Sequence, residues 1–281
     1  MSYVLFDIGG TNTRVAISED VKTFGKTVKF DTPNDFKEGI TLIEKAVREL
    51  TKSEIRGVAG GIRGVLNEEK TEMLVDGGAV LTDWEEKPLV NELKARFKAP
   101  VYLENDAAIV GLGEAMYGAG QGEEIVVYLT ISSGVGGAKI ESGEVDKASY
   151  GFEPGHQILD IDHTILGEDE EPTLENLVSG MAIEERMGCK PYDISQQDAV
   201  WDQLAYYLAH GIRNTILYWS PDIVVLGGSM IVGDPRILLK DVETHTAELM
   251  ANLMPVPSIV DAKLGDSGGL YGAMAILNRL A

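Results

Sequence analysis

Tyr3-Val4-Leu5-Phe6-Asp7-Ile8-Gly9-Gly10-Thr11-Asn12-Thr13-Arg14-Val15-Ala16-Ile17 opens the chain as a strand, a glycine-rich turn and a returning strand. The apolar run at 3–8 predicts a buried strand, residues 7–14 the turn after it, and residues 15–18 renewed extension. The same design returns about half a chain later. Residues 125–131 form a strongly apolar run, Ser132-Ser133-Gly134-Val135-Gly136-Gly137 a loop, and residues 138–140 a returning strand. Two such hairpins predict two similarly built α/β domains; the repeat is one of pattern rather than of identity.

Working outward, residues 27–30 alternate as a third strand, and Ile40, Ile43, Ala46, Val47 and Leu50 recur at helical spacing over 36–50. Residues 55–62 predict a glycine-containing strand, followed by a loop region through Trp84; Pro88 can open a short helix to Phe97. Residues 196–219 predict one long helix ended by Ser220-Pro221, 222–229 a buried strand emptying into a glycine turn, and 235–253 a helix. Residues 258–262 predict a strand and 268–280 a closing helix. The stretch 150–179 is polar and weakly periodic, with the acidic run Glu168-Asp169-Glu170-Glu171.

Between the hairpins lies Leu103-Glu104-Asn105-Asp106-Ala107-Ala108, a short strand that breaks into Asn-Asp and feeds an Ala- and Gly-rich helix. A carboxylate at such a strand end can face a ligand and accept a proton from a hydroxyl. The plainer reading makes Asn105 or Asp106 the N-cap of the helix, and the two roles are compatible if one residue caps while the other faces a ligand.

Composition narrows the chemistry. The 281 residues accommodate roughly two domains of ~150 residues. A net charge of -21, from 24 basic and 45 acidic residues, argues against nucleic acid or an anionic membrane as partner, so any phosphate site must be built locally. The single cysteine, Cys189, rules out an internal disulfide framework and fits a reducing, cytoplasmic setting. The start lacks a basic segment followed by a long apolar one, so no signal peptide is expected, and the longest apolar run is far short of a membrane span.

In the first hairpin, Gly9 and Gly10 allow backbone N–H groups to approach an anion, the hydroxyls of Thr11 and Thr13 add hydrogen bonds, and Asp7 can hold Mg²⁺ near phosphates. A tight hairpin alone would also use Gly-Gly. The second loop, with Ser133, Gly134 and Gly136, favours the phosphate reading because the design is repeated. Gly227-Gly228 can set backbone against a nucleotide, or simply turn a strand into a helix. Gly151-Phe152-Glu153-Pro154-Gly155-His156 places a carboxylate and an imidazole on one loop, fit for sugar hydroxyls; a metal there would want more His or Cys nearby than His163. Glu175 standing alone would read as a helix N-terminal charge.

Taken together, the set resembles the ROK sugar kinases, glucokinase-like members of the actin/hexokinase/Hsp70 superfamily. Asp7-Ile8-Gly9-Gly10-Thr11-Asn12 resembles the family's first phosphate motif, Glu104-Asn105-Asp106-Ala107 its catalytic segment, and Ser133-Gly134-Val135-Gly136-Gly137 its second phosphate loop. Gly151 to His156 is similar to its Gly-x-Glu-x-Gly-His sugar element, Leu174-Glu175 with Ser179-Gly180 to the element giving a further sugar-contacting Glu, and the 222–229 turn to its adenosine side. The resemblance implies a two-domain actin-like ATPase (RNase H-like) α/β fold with a central cleft. Residues 1–107 with 267–281 would form the small N-terminal domain and 108–266 the larger C-terminal one. It implies ATP- and Mg²⁺-dependent phosphorylation of a hexose hydroxyl with Asp106 as base. Asn105, Asp106, Glu153, His156 and Glu175 would bind the sugar. Asp7, Gly9, Gly10, Thr11, Thr13, Ser133, Gly134, Gly136, Gly227 and Gly228 would bind ATP, with Asp7 at the Mg²⁺. A homodimer is expected.

Two departures stand out. The cysteine cluster that binds zinc in many members is missing between His156 and Glu175, so no zinc is expected and His156 is left to the sugar. The family's Pro-Gly-Pro turn is here Gly60-Gly61-Ile62-Arg63-Gly64, and the element that follows appears only as Val80-Leu81-Thr82-Asp83-Trp84, which leaves the hexose open. The chain begins directly at the phosphate strand, so the helix-turn-helix of the family's repressors is not expected. N-acetylmannosamine, N-acetylglucosamine and fructose are alternative substrates, and a non-catalytic sugar-binding regulator is the reading of another class. A chaperone-type ATPase would share the broad fold but not the rest of the motif set.

Overall fold

The computed structural model describes residues 1–77 and 80–280 and divides them into two compact units. The first comprises Met1–Tyr117, Lys147–Gly151 and Asp266–Ala281, the second Gly118–Asp146 and Phe152–Gly265. Residues 78 and 79, within the expected loop before Trp84, and residue 281, at the end of the expected small domain, lie outside the described residues.

In the first unit, β1 (Ser2–Ile8), β2 (Asn12–Ser18), β3 (Thr27–Asp31), β4 (Ile55–Ile62) and β7 (Val101–Asn105) make one sheet in the order β3-β2-β1-β4-β7. β1 and β2 are antiparallel, with Asp7 opposite Arg14, whereas β4 runs parallel to both β1 and β7. A small hairpin, β5 (Val65–Leu66) with β6 (Met73–Val75), occupies part of the expected loop. α1 (Phe36–Leu50) buries Ile40, Ile43, Ala46 and Val47, the residues whose spacing predicted it. Burying each such isoleucine stabilises the fold by about 1.5–3 kcal/mol relative to exposure. Asp35 caps α1 by accepting from Glu38 N at 2.7 Å. α2 (Leu89–Phe97), α3 (Asp106–Tyr117) and α9 (Gly268–Leu280) complete this unit. The sequence boundary after residue 107 falls inside α3. That helix packs along α9, whose Leu270, Ala273, Met274 and Leu277 share a buried cluster with Ile109, so the whole of α3 stays with the first unit.

The second unit repeats the plan. β8 (Ile125–Ile131), β9 (Val135–Glu141), β10 (Glu144–Val145), β11 (Ile223–Gly227) and β12 (Ser258–Asp261) form a sheet ordered β10-β9-β8-β11-β12, again antiparallel on one side and parallel on the other. α4 (Leu174–Val178), α5 (Gly180–Met187), α6 (Val200–Trp219), α7 (Ser229–Val232) and α8 (Leu239–Met250) surround it. Strand β9 begins at Val135, so Gly136 and Gly137 belong to the ladder, where they face Thr130 and Leu129; the loop proper is residues 132–134, closed by Ser132 N donating to Gly134 O at 2.8 Å. α6 starts four residues later than the periodicity predicts; the chain before it turns, and the Gln196 side chain bonds the Arg236 backbone in both directions, at 3.0 and 2.8 Å. Among the described residues no helix is long and apolar enough to cross a membrane.

Between His156 and Glu175 the chain is largely turns, gathered by the buried Asp160. Its carboxylate accepts from Thr164 N at 3.0 Å, Ile165 N at 3.0 Å and Leu166 N at 2.8 Å. Burial pushes its pKa up, but these backbone donors prevail and hold it below the ordinary range. A depressed carboxyl pKa contributes stability that is complete above the unfolded-state value and is lost as pH falls through the folded one. Asp160→Ala is therefore expected to lower the thermal midpoint at pH 7, with the gap to wild type closing in acid; circular dichroism melts across pH check this.

Candidate active site

The candidate residues fall into two groups, one in each unit. In the first, three parallel strands, β1, β4 and β7, end side by side, with Ile8 opposite Ile62 and Ile62 opposite Asn105. Carboxyl ends of parallel strands are where α/β sheets place ligand-binding loops.

β1 runs into the glycine hairpin. Gly9 N donates to Asn12 O at 3.0 Å, closing the turn, so Gly10 and the exposed Thr11 form its tip. The Thr13 side chain is buried and its hydroxyl pairs with Thr32 Oγ1 at 2.9 Å. Thr32 in turn donates to Gly9 O at 2.8 Å. Thr13 therefore braces the loop from within the sheet, because alternation in β2 points it inward.

β7 delivers Asn105 and Asp106 to the start of α3. Asn105 is the cap: its Oδ1 accepts Ala108 N at 3.1 Å, while its Nδ2 donates to Gly64 O at 3.0 Å. Asp106, the first helical residue, accepts from Ala107 N at 2.8 Å. Burial raises its pKa, against lowering by the Ala107 N–H and the Arg63 charge. Before them, the buried Glu104 is held by Lys70 Nζ at 2.5 Å and accepts Asn105 N at 3.0 Å, which fixes the strand end.

Asp7 lies in the same unit. Burial, then the Asp106 charge, pushes its pKa up to about 7, although Arg14 opposes this from 4.0 Å. Arg14 is also engaged by Asp266, at 2.7 Å. A carboxylate pushed toward its neutral form is one that a cation would restore. Mg²⁺ shared with substrate phosphates needs only one or two protein carboxylates, so Asp7 fits that role. Among the described residues no cluster of three or more His, Cys, Asp or Glu is poised for a metal.

Two residues of this region were not singled out by their chemistry in the sequence. Arg63, at the end of β4, forms an ion pair with Asp76 at 2.8 Å, and Asp76 is fully buried. Nothing local marks the pair, since thirteen positions separate partners that the β5–β6 hairpin brings together.

The second unit carries the remaining candidates. Glu175, on α4, reaches the second glycine loop: its Oε2 accepts Val135 N at 2.6 Å and would lie 2.6 Å from a Cβ at Gly134. Only glycine at 134 admits the carboxylate this closely. The loop is also tied to the start of α5, with Gly180 N on Ser132 O at 2.7 Å and Met181 N on Ser133 O at 3.3 Å. Ser132 and Ser229 hydroxyls pair at 3.2 Å, which joins the loop to the turn where Gly227 ends β11 and Gly228 precedes α7. Glu153 and His156 flank Pro154-Gly155 on an exposed loop, and the buried Gly155 abuts the backbone of Val135. The second loop, Glu175, the Glu-x-Gly-His element and the Gly227-Gly228 turn are thus neighbours within one unit.

Two sheets of one topology, each opening on a glycine hairpin, define the α/β actin-like ATPase fold. The chain belongs to the ROK family, whose model matches residues 3–279. A fructokinase of Streptococcus mutans is 27% identical over 99% of this chain and 98% of its own. A glucokinase of Thermotoga maritima is 27% identical over 97% and 96%. Among solved structures, a ROK hexokinase from Thermus thermophilus superposes with a TM-score of 0.82 at 25% identity, covering 100% of this chain and 99% of that one.

Proposed function

We propose that the protein transfers the γ-phosphoryl group of ATP to a hydroxyl of a hexose, as a glucokinase-type enzyme with Asp106 as general base. That it is a ROK sugar kinase rests on the end-to-end family match and on full-length relatives named for that activity. The observation that most supports the base is local. Asp106 has a raised pKa and stands at the end of a strand two places from the one that carries Asp7 and the glycine hairpin, while Asn105 relieves it of capping.

Phosphoryl transfer asks for positioning and charge neutralisation more than covalent chemistry. In this reading Asp106 takes the proton of the attacking hydroxyl. Asn105, Glu153, His156 and Glu175 bind sugar hydroxyls, and Gly10, Thr11, Ser133, Gly134 and Gly136 cradle phosphates through backbone N–H and hydroxyl donors. Gly227 and Gly228 lie on the nucleotide side. Asp7 would hold Mg²⁺, which would supply neutralisation of phosphate charge. Thr13, buried and paired with Thr32, supports its loop. The reading includes a cytoplasmic homodimer, with which the exposed Leu217 and Tyr218 on α6 are compatible.

A coupled assay with ATP and a panel of glucose, mannose, fructose, N-acetylmannosamine and N-acetylglucosamine tests this. Turnover with glucose as the best substrate is expected; absence of turnover on every sugar sinks the kinase reading. Fructose is the second reading, favoured by the Streptococcus mutans relative, and a higher kcat/KM for fructose selects it.

A further inference from the structure

The strand between the phosphate hairpin and the base ends on an arginine. β4 lies between β1 and β7, and Arg63 follows its last residue. Its backbone N–H donates to Ile8 O at 3.1 Å, and the next residue, Gly64, accepts from the Asn105 side chain at 3.0 Å. Arg63 is thereby stitched to both neighbours: the strand end that begins the glycine hairpin and the strand end that presents Asp106.

The side chain is equally defined. Its Nε end meets Asp76 Oδ1 at 2.8 Å, as an ion pair without hydrogen-bond alignment, and Asp76 is itself anchored by accepting Val80 N and, at 3.0 Å, Leu81 N. The other end lies over the hairpin tip: a Cβ at Gly10 would overlap Arg63 Nη1 and lie 3.3 Å from its Cδ. The side chain remains one-quarter exposed, and its charge bears on the Asp106 carboxyl. With Nε anchored, the guanidinium is held with Nη1 against the tip of the hairpin that the kinase reading assigns to phosphate. A planar guanidinium matches two oxygens of a phosphoryl group at once. Locally the need is clear, since Asp7, Asp76, Asp106 and Asp266 crowd this end of the unit, and Arg14 is already engaged by Asp7 and Asp266.

We propose that Arg63 is a catalytic residue, its guanidinium stabilising the negative charge of the phosphoryl group during transfer. The proposal rests on the kinase reading above. In the step, the sugar hydroxyl gives its proton to Asp106 and its oxygen forms a bond to the γ-phosphorus. The bond from that phosphorus to the bridging oxygen breaks, and its electron pair leaves with ADP. Arg63 keeps its own protons throughout. Asp76 is a positioning residue acting through Arg63.

The test uses the full chain in the coupled assay with its best sugar. Arg63→Gln is expected to lower kcat about 10²–10³-fold, the usual cost of one transition-state donor, while KM for ATP and sugar moves less than about threefold. Millimolar guanidinium or ethylguanidinium ions should restore part of the rate. Because Arg63→Gln leaves Asp76 buried without its cation, Arg63→Gln/Asp76→Asn is made alongside; it should melt near the wild type and stay equally slow. An active wild type with Arg63→Gln within about threefold of its kcat overturns the proposal. So does a loss confined to the KM for sugar, or a double variant that recovers the full rate. A wild type inert on every sugar is a different result: it removes the kinase reading, and the proposal falls with it.

Discussion

Asp106→Asn is expected to lower kcat by about 10²–10⁴-fold, the range a positioned base supplies, while the fold survives. The substitution is nearly isosteric, and the cap of α3 belongs to Asn105, whose bond to Ala108 N is untouched. The wild-type pH profile carries a second signature. Burial raises the Asp106 pKa, and the charges that face it are Arg63, which lowers it, and Asp76, which raises it; Asp7 is coupled to it as well. A base works only when deprotonated, so a raised pKa moves the acid limb of kcat/KM above the ordinary carboxylate range. That limb should be absent from Asp106→Asn. A variant as active as wild type, or one that keeps the limb, would remove Asp106 from the mechanism.

Asp7→Asn is expected to lose activity by about 10²-fold or more and at the same time to become more stable than wild type at pH 8. The sign follows from the carboxyl pKa, about 7 in the folded protein against an ordinary value of 3.8. Between those values the folded chain binds more protons than the unfolded one, so wild-type stability falls as pH rises through that window. The deficit is complete above about pH 7, where it amounts to a few kcal/mol. Asparagine carries no such charge, and Arg14 keeps Asp266 as its partner. The stability gain should therefore vanish near pH 4 and grow toward neutrality. Mg²⁺ with nucleotide should raise the wild-type midpoint but not that of Asp7→Asn. Melts at several pH values, with and without Mg²⁺-nucleotide, read both effects; a variant less stable than wild type at pH 8 would contradict them. Because Asp7 and Asp106 raise one another's cost, combining the two substitutions should not be additive.

Much of the scaffold is written locally. The strand 55–62 and the closing helix 268–280 coincide with β4 and α9, since a short stretch of apolar and small residues broken only by Arg56 and a long helical period leave few alternatives. Both hairpins are present where apolar strands flank glycine turns. α4 and α5 escaped because helices of five and eight residues carry too little periodicity to stand out in a polar stretch. At the candidate site, Asp7 and Asp106 were proposed from residue type next to a strand end, and the structure places Asp7 near the end of β1 and Asp106 just after β7. The partner of Thr13 was not legible, because the same residue type serves a ligand or the protein itself; the structure pairs its hydroxyl with Thr32.

The sequence by itself determined the longer elements and the repeated strand–turn–strand plan, and it offered residues whose chemistry suits phosphate and hydroxyl groups. These depend on period, turn chemistry and side-chain type, all properties of neighbours along the chain. Tertiary structure alone decided what each polar group touches. It made Asn105 the cap and so released Asp106, set Glu175 on the Gly134-Val135 backbone, and placed Arg63 between Asp76 and Gly10. These pairings join residues from different strands, helices and loops. Their partners are selected by which strands lie side by side and which backbone has room, and that information exists only once the sheets have formed.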